Sequence, residues 1–106
     1  MRMNEYHKKE VRMDILDYRK VSDFFNAFSH PTRIEMILEL LEGKKCVSDI
    51  RDLLEVTQPN VSQHLSSLRS NDIVDWRQDG KRKCYFLKNP KLIKDIFDVL
   101  KKNKLL

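Results

Sequence analysis

The sequence predicts a mainly α-helical domain that carries one small β-hairpin. Over most of the chain, apolar residues lie three and four positions apart, which is the spacing of one helix face. Past Asn71 the pattern becomes extended on both sides of Asp79–Gly80, a dipeptide typical of hairpin turns. The 106 residues include only 2 Gly and 3 Pro, which leaves little material for linkers. We therefore expect a single domain over residues 1–106.

The first part of the chain predicts two helical regions. Over residues 8–28 the helical spacing fits one helix or two, since Ser22–Asp23 could start a second. The next region begins with Ser29, has Pro31 in its first turn and closes on Gly43, an asymmetry typical of helix ends. Its apolar face is wide and should pack deep in the core. The members of that face are Ile34, Met36, Ile37, Leu38, Leu40 and Leu41.

Two short helices joined by a tight turn are predicted next. An extended KKCV link leads to the helix SDIRDLLE, with Ser48 as its expected N-cap. Val56–Thr57 form the turn, and Pro59 lies in the first turn of the following helix, where its missing N–H costs nothing. After the hairpin, the segment that follows Asn89–Pro90 has one apolar stripe and predicts a final amphipathic helix. The resulting order, α-α-β-α-α-β-β-α, is that of a winged helix-turn-helix.

The helix that Thr57 is expected to cap has two unlike faces. Stepping about 100° per residue groups Val61, Leu65 and Leu68 on an apolar side. His64 lies at its border and should be half-buried against the preceding helix. The opposite side carries small uncharged hydrogen-bonding groups, which can pair with base edges in a major groove, although a plain solvent-facing surface is the alternative. The residues assigned to DNA reading are Thr57, Gln58, Asn60, Ser62, Gln63, Ser66 and Ser67.

The charge of the hairpin supports the DNA-binding interpretation. Its tip can reach phosphates beside the reading helix, and such contacts make affinity depend on salt concentration. The formal net charge of the whole chain, +5, also favours a polyanionic partner. A solvated basic edge would show the same charges. The wing residues assigned to DNA binding are Arg77, Lys81, Arg82 and Lys83, against the single carboxylate of Asp79.

The range 24–87 resembles the ArsR-type winged-helix repressors. The similarity is specific at the HPTR helix start, the QPNVSQHLSSLR helix and the GKRKCYF wing. This resemblance implies a homodimer that binds double-stranded operator DNA and releases it on a metal, metalloid or redox signal, with the inducer left unknown. It also implies dimerisation through the first and last helices, residues 1–28 and 90–106. The apolar residues assigned to that interface, which could equally be plain core, are Ile15, Tyr18, Ile96, Phe97 and Leu100.

The two metal sites of this family match the chain poorly. Where one site has a Cys-Val-Cys pair, the sequence reads Cys46-Val47-Ser48, and His7 is the one soft ligand near the N-terminus. The other site uses His and carboxylate ligands on the final helix, which has Asp95 and Asp98 but no His. Zinc sites generally need thiolate or imidazole ligands. We therefore expect no metal site and no cofactor.

The two cysteines lead to a separate hypothesis. In a winged helix the short strand before the third core helix pairs with the second wing strand, which would place Cys46 opposite Cys84. Both thiols start reduced in a reducing cytoplasm, and their oxidation, or the insertion of sulfur between them, would strain the wing and alter its fit to DNA. The alternative is that both are small, buried and inert.

Other functional classes find less support in the sequence. It shows no Gly-rich phosphate loop and no nucleophile beside a base, so we do not expect an enzyme. It has no apolar run that could span a bilayer, and its N-terminus lacks the apolar region of a signal peptide, so we expect a cytoplasmic protein with no membrane partner. The alternatives are a winged helix used for protein interaction or non-inducible regulation, and a metal or metalloid sensor with an atypical site.

Overall fold

A computed structural model describes residues 12–105 of the chain. The helices are α1 (Ile15–Ala27), α2 (Pro31–Leu41), α3 (Val47–Leu54), α4 (Gln58–Ser70) and α5 (Pro90–Lys102), and the strands are β1 (Lys45–Cys46), β2 (Val74–Asp79) and β3 (Arg82–Leu87). This order confirms the predicted winged helix-turn-helix. His7 and residues 8–11, at the predicted start of the first helix, lie outside the described residues.

Helix α1 is one continuous helix. Asp14 is its N-cap, and a capping box joins Asp14 to Asp17: each carboxylate accepts a hydrogen bond from the backbone N–H of the other residue, at 2.9 and 3.2 Å. Ser22–Asp23 lies in the interior of α1, because Phe24 and Phe28 continue the packing face beyond it. The possible second helix start is therefore not used.

Helix α2 begins one residue later than the sequence suggested. Its N-cap is His30 rather than Ser29, and Nδ1 of His30 accepts a hydrogen bond from the N–H of Thr32 at 3.3 Å. The helix closes before Gly43, as predicted, and Gly43 has a positive φ of 141° that suits a residue without a Cβ. One member of the predicted apolar face is misplaced: Leu38 is 46% exposed, because it lies on the side of α2 that turns away from the core.

The starts of α3 and α4 also differ in detail from the sequence prediction. The N-cap of α3 is Cys46, so Ser48 lies inside the first turn and does not cap the helix. The N–H of Cys46 donates to Asp49 Oδ2 at 3.0 Å, so the side chain of Asp49 provides the partner for the N-cap backbone of α3. Thr57 is the N-cap of α4 as predicted, although its side chain makes no capping hydrogen bond.

The three strands form an antiparallel sheet in the order β1-β3-β2. Asp79 pairs with Arg82, so the two loop residues of the hairpin are Gly80 and Lys81. The positive φ of Gly80, 63°, is the left-handed conformation that tight hairpin turns need. β1 pairs with β3, as the sequence predicted, and thereby joins the wing to the start of α3.

The core lies where the helices meet the sheet. Its buried members are Ala27, Met36, Ile37, Leu40, Ile50, Val61, Leu65, Leu68, Ile73, Val74, Tyr85, Leu87 and Ile93. The three α4 residues in this set are fully buried, which confirms the predicted apolar side of that helix. Their burial turns the opposite side of α4 to solvent.

We expect Leu65→Ala to lower the free energy of unfolding by about 2–5 kcal/mol, since the substitution leaves a cavity beneath α4. Leu53→Ala is the matched control, because Leu53 is 53% exposed on α3 and its truncation should change stability by about 0.5 kcal/mol or less. Urea unfolding at one fixed protein concentration measures both. Equal losses in the two variants would contradict the packing of α4 described here.

Candidate nucleic-acid interface

Helix α4 presents the predicted base-reading residues to solvent, with one exception. Thr57, Gln58, Asn60, Ser62, Gln63 and Ser66 are exposed, and Ser67 is half-buried. The carbonyl oxygen of Ser67 accepts hydrogen bonds from the hydroxyl of Ser70 and the amide of Asn71, both at 3.0 Å. The exposed side of α4 up to Ser66 is therefore the part that is free to meet a groove.

Arg51 of α3 holds the side chain of Gln58 at the start of α4. Its Nη1 donates to Gln58 Oε1 at 3.1 Å, and its Nε pairs with Asp52 Oδ1 at 3.2 Å. The contact fixes one of the predicted reading residues and adds a cation beside it. Sequence reasoning missed Arg51, because an arginine on a short polar helix forms no pattern that distinguishes it from a solvated residue.

A histidine pair flanks α4 on the side of helix α2. Arg33 Nε donates to Nδ1 of His64 at 3.2 Å, and the rings of His30 and His64 meet edge to face with centroids 4.4 Å apart. These three residues line one concavity together with Asn60 and Gln63. His64 is thus half-buried, as expected, but against α2 rather than against the helix immediately before it. The N-terminus of α2 lies beside α4 at this point, which the local sequence pattern could not indicate.

The environment of His64 disfavours its charged form. Burial lowers the pKa of His64 from its ordinary value of 6.5, and the neighbouring His30 and Arg33 lower it further. The neutral ring can accept the hydrogen bond from Arg33 at Nδ1, whereas the protonated ring cannot. The hydrogen bond between Arg33 of α2 and His64 of α4 therefore depends on a neutral His64.

The wing is tied to the domain by two ion pairs near its tip. Arg82 Nη2 donates to Asp49 Oδ1 at 2.8 Å and to Ser48 Oγ at 3.0 Å. Lys44 Nζ pairs with Asp79 Oδ2 at 2.9 Å, which helps to lower the pKa of Asp79. Part of the positive charge predicted for the wing is thus already paired within the chain.

The other wing cations lie over aromatic rings or stand alone. Lys83 Nζ is 4.4 Å from the centroid of the Trp76 ring, and the Arg77 guanidinium is 4.8 Å from that of Phe86. Within residues 12–105, Lys81 forms no ion pair and projects from the exposed hairpin loop. Lys81 is therefore the wing cation best placed to meet a phosphate.

The base of the wing is also fastened to the end of α4. Arg69 Nε pairs with Asp75 Oδ1 at 3.1 Å, and the Arg69 guanidinium lies 5.6 Å from the centroid of the Trp76 ring. The backbone N–H of Trp76 donates to the same Asp75 oxygen at 2.8 Å. This hydrogen bond and the contact with Arg69 lower the pKa of Asp75. These contacts set the position of the wing relative to α4.

The two cysteines meet where the sequence placed them. Cys46 and Cys84 are partners in the β1–β3 register and are joined by a disulfide. Cys84 is fully buried, and Cys46 is 7% exposed. The hydrogen bond from the Cys46 N–H is the largest cause of a lowered pKa at Asp49, followed by the contact with Arg82. The disulfide thus lies next to the ion pair that holds the wing.

A second candidate surface is apolar and lies on α1 and α5. Ile15 and Tyr18 of α1 are 81% and 59% exposed. Phe97 packs against the core, so it serves the single domain as well. The groove between α1, α2 and α5 is lined by Phe24, Phe25, Phe28, Ile34, Ile96, Phe97 and Leu100. Of the predicted interface residues, Ile15 and Tyr18 lie on the surface, and Ile96, Phe97 and Leu100 line the groove.

Between residues 12 and 105, no three His, Cys, Asp or Glu side chains are grouped so that they could hold a metal ion. None of the helices described there is long and apolar enough to cross a membrane.

The chain is similar in sequence to known regulators. The family model described as "Bacterial regulatory protein, arsR family" matches residues 30–75. The cadmium resistance transcriptional regulatory protein CadC of Listeria innocua is 31% identical over 91 residues, which cover 85% of this chain and 76% of that protein. The transcriptional repressor SmtB of Mycobacterium tuberculosis is 33% identical over 87 residues, covering 82% of this chain and 63% of that protein.

Solved structures share the fold at lower sequence identity. HlyU from Vibrio cholerae superposes with a TM-score of 0.73 at 23% identity, covering 89% of this chain and 100% of that one. The homodimeric winged helix-turn-helix DNA-binding domain of a possible ArsR-family regulator from Mycobacterium bovis gives a TM-score of 0.77 at 18% identity, covering 91% and 94% of the two chains. These likenesses concern the fold.

We expect the free energy of unfolding to fall as pH drops below 6.5, because His64 becomes protonated in the unfolded chain. The substitution His64→Gln should remove this pH-dependent loss. The folded chain holds a proton on His64 less readily than the unfolded chain does, so the contribution of neutral His64 is complete above pH 6.5 and is lost on acidification. Urea unfolding between about pH 7 and 5 measures it. Glutamine keeps an acceptor for Arg33. Asp49, Asp75 and Asp79, whose pKa values are lowered from 3.8 by their hydrogen bonds, act at lower pH and provide the internal control. An unchanged slope in the variant would contradict this assignment.

Proposed function

Because the chain belongs to the ArsR family of bacterial regulatory proteins, it is a DNA-binding transcriptional regulator, and we propose that it represses transcription as a homodimer on a palindromic operator. The observation that carries this proposal is the uncharged hydrogen-bonding side of α4, which the burial of Val61, Leu65 and Leu68 turns to solvent beside a cationic wing. Such a regulator acts on DNA inside the cell, and we place it in the cytoplasm.

The α4 surface has the chemistry of base recognition in a major groove. Asn60 and Gln63 can each pair bidentately with adenine, and Ser62 and Ser66 can donate to or accept from base edges. The absence of long charged side chains along this side up to Ser66 lets the helix approach the base pairs closely. The contact from Arg51 to Gln58 Oε1 supports a role for Gln58 in reading a base near the end of the site.

The wing supplies affinity rather than sequence preference. Lys81 at the loop, with Lys83 and Arg77 on the strands, adds positive charge beside the groove that α4 would enter. Contacts of such cations with phosphates release counterions, so they strengthen binding to any DNA and make it salt-dependent. Arg82 contributes less while Asp49 and Ser48 hold it.

The apolar surface of α1 and α5 supports association of two copies. In a single copy of the domain, apolar side chains on α1 such as Ile15 and Tyr18 are exposed to water. Exposed apolar patches of this kind often mark protein–protein contacts. A two-fold contact there would set the two α4 helices about one helical turn of DNA apart, roughly 34–36 Å, which matches a palindromic site.

We expect Gln63→Ala to reduce discrimination at one base position by about 1–3 kcal/mol, because only the correct base completes the hydrogen bonds of this side chain. Lys81→Ala should weaken binding to all duplexes nearly equally and reduce the slope of log affinity against log salt by about 0.9, the value of one phosphate contact. The measurement is fluorescence anisotropy with a duplex selected from a randomised library and its single-base variants.

The control for Lys81→Ala is Lys102→Ala, which removes the same charge from the last turn of α5 and should leave the salt slope unchanged. If neither Gln63→Ala nor Lys81→Ala alters DNA binding, the α4 surface and the wing serve a protein partner instead, and the DNA-reading proposal is wrong.

We expect Tyr18→Glu to raise the dissociation constant of the homodimer at least about tenfold, since it buries an uncompensated charge in the proposed interface. The side chain is exposed in the single domain, so the fold should be retained. Sedimentation equilibrium measures the association. Leu53→Glu places the same charge on the exposed part of α3 and should leave dimerisation intact. A wild-type chain that stays monomeric at all concentrations, or a dimer indifferent to Tyr18→Glu, excludes this interface.

A further inference from the structure

The disulfide between Cys46 and Cys84 joins two separate parts of the proposed DNA-binding surface. Cys46 starts α3, the first helix of the helix-turn-helix, and Cys84 lies in β3 of the wing, 38 residues further along the chain. We propose that these cysteines are a redox-reactive dithiol, and that their oxidation to the disulfide lowers the affinity of the protein for its operator. The inference rests on the proposed DNA-binding function and adds its regulation.

The oxidant class that fits this site is a small peroxide. The Cys46 thiolate attacks one peroxide oxygen, which gives a sulfenic acid and releases the other oxygen as water or an alcohol. The Cys84 thiolate then attacks the Cys46 sulfur, forms the S–S bond and releases a second water. The dithiol loses two electrons and two protons, and the peroxide gains them. Cys46 reacts first, because it keeps 7% exposure whereas Cys84 has none.

The change of redox state alters the position of the wing relative to β1 and the start of α3. Two thiol sulfurs cannot approach to bonding distance, so in the dithiol form Cys46 and Cys84 separate to van der Waals contact. Both side chains are buried, and protein interiors are generally close-packed, so rotation of the side chains alone has little room to separate the sulfurs. The separation is therefore taken up by β3 moving relative to β1 and the start of α3.

Arg82 connects this movement to DNA. It lies two residues before Cys84, on the same face of β3. In the disulfide form its Nη2 is 2.8 Å from Asp49 Oδ1, while Asp49 Oδ2 accepts the N–H of Cys46 at 3.0 Å. These contacts and the S–S bond form one closed loop of interactions between α3 and β3.

A guanidinium held by a carboxylate is less available to a phosphate. When the disulfide opens and β3 relaxes away from α3, Arg82 is released from Asp49 and joins Lys81 at the tip of the wing. The reduced protein therefore binds the operator more tightly, and the oxidised protein releases it. The resting state in a reducing compartment is the binding state.

The test uses a duplex selected from a randomised library by the fully reduced protein. Its affinity is measured by anisotropy for the reduced protein, after treatment with hydrogen peroxide that is then removed, and after re-reduction. We expect oxidation to remove the two thiol hydrogens from the intact mass and to weaken binding about tenfold, within the usual range of allosteric coupling, with full recovery on reduction.

Three variants test whether the effect of peroxide on DNA affinity passes through the disulfide and the ion pair between Asp49 and Arg82. Cys84→Ala should bind as the reduced wild type does and ignore peroxide, and Cys46→Ala is its matched counterpart should the first variant unfold. Asp49→Asn removes the charge that retains Arg82, so the ratio of reduced to oxidised affinity should shrink to about threefold or less while the disulfide still forms.

The outcomes separate this inference from the function on which it rests. A reduced protein that selects no sequence refutes the DNA-reading proposal itself. A protein that selects an operator but binds it equally well, or better, as the disulfide refutes the redox inference alone. A peroxide response that persists when Cys84 or Cys46 is replaced by alanine also refutes it.

Discussion

The burial of Val61, Leu65 and Leu68 is the constraint on which the rest of the surface depends. Together they fix the rotation of α4 about its own axis, because turning the helix would bring apolar side chains into water. Once that rotation is fixed, the positions of Asn60, Gln63 and the neighbouring serines follow from the helical repeat. The chemistry of the exposed side of α4 is thus a consequence of core packing.

The wing is positioned by polar contacts instead, and this makes it the adjustable part of the surface. Arg69 ties its base to α4, and Arg82 and Lys44 tie its tip to α3 and the link before β1. All three pairs are solvent-exposed, and exposed pairs hold a geometry only weakly. A covalent bond between β1 and β3 therefore outweighs them in setting where the wing lies.

The sequence predicts those features that have a local cause. Periodicity gives the elements, Asp79–Gly80 gives the hairpin, and the β1–β3 pairing follows from the order of elements. The sequence does not predict contacts between distant side chains: Arg33 reaches His64 across 31 residues, and Arg82 reaches Asp49 across 33. Each is one polar pair among many that composition would allow. The choice of Cys46 over Ser48 as the N-cap has the same origin, since β1 pairing with β3 decides where α3 begins.

Helix α2 links the two candidate surfaces through adjacent residues. Ile34 lines the apolar groove beside α1 and α5, while Arg33 bonds to His64 on α4. A helix transmits displacement along its length, because its backbone hydrogen bonds resist local deformation. Ile34 and Arg33 are neighbours on one helix that contacts both candidate surfaces. The apolar groove and the exposed side of α4 are thus connected through α2, by residues that are separate from the disulfide.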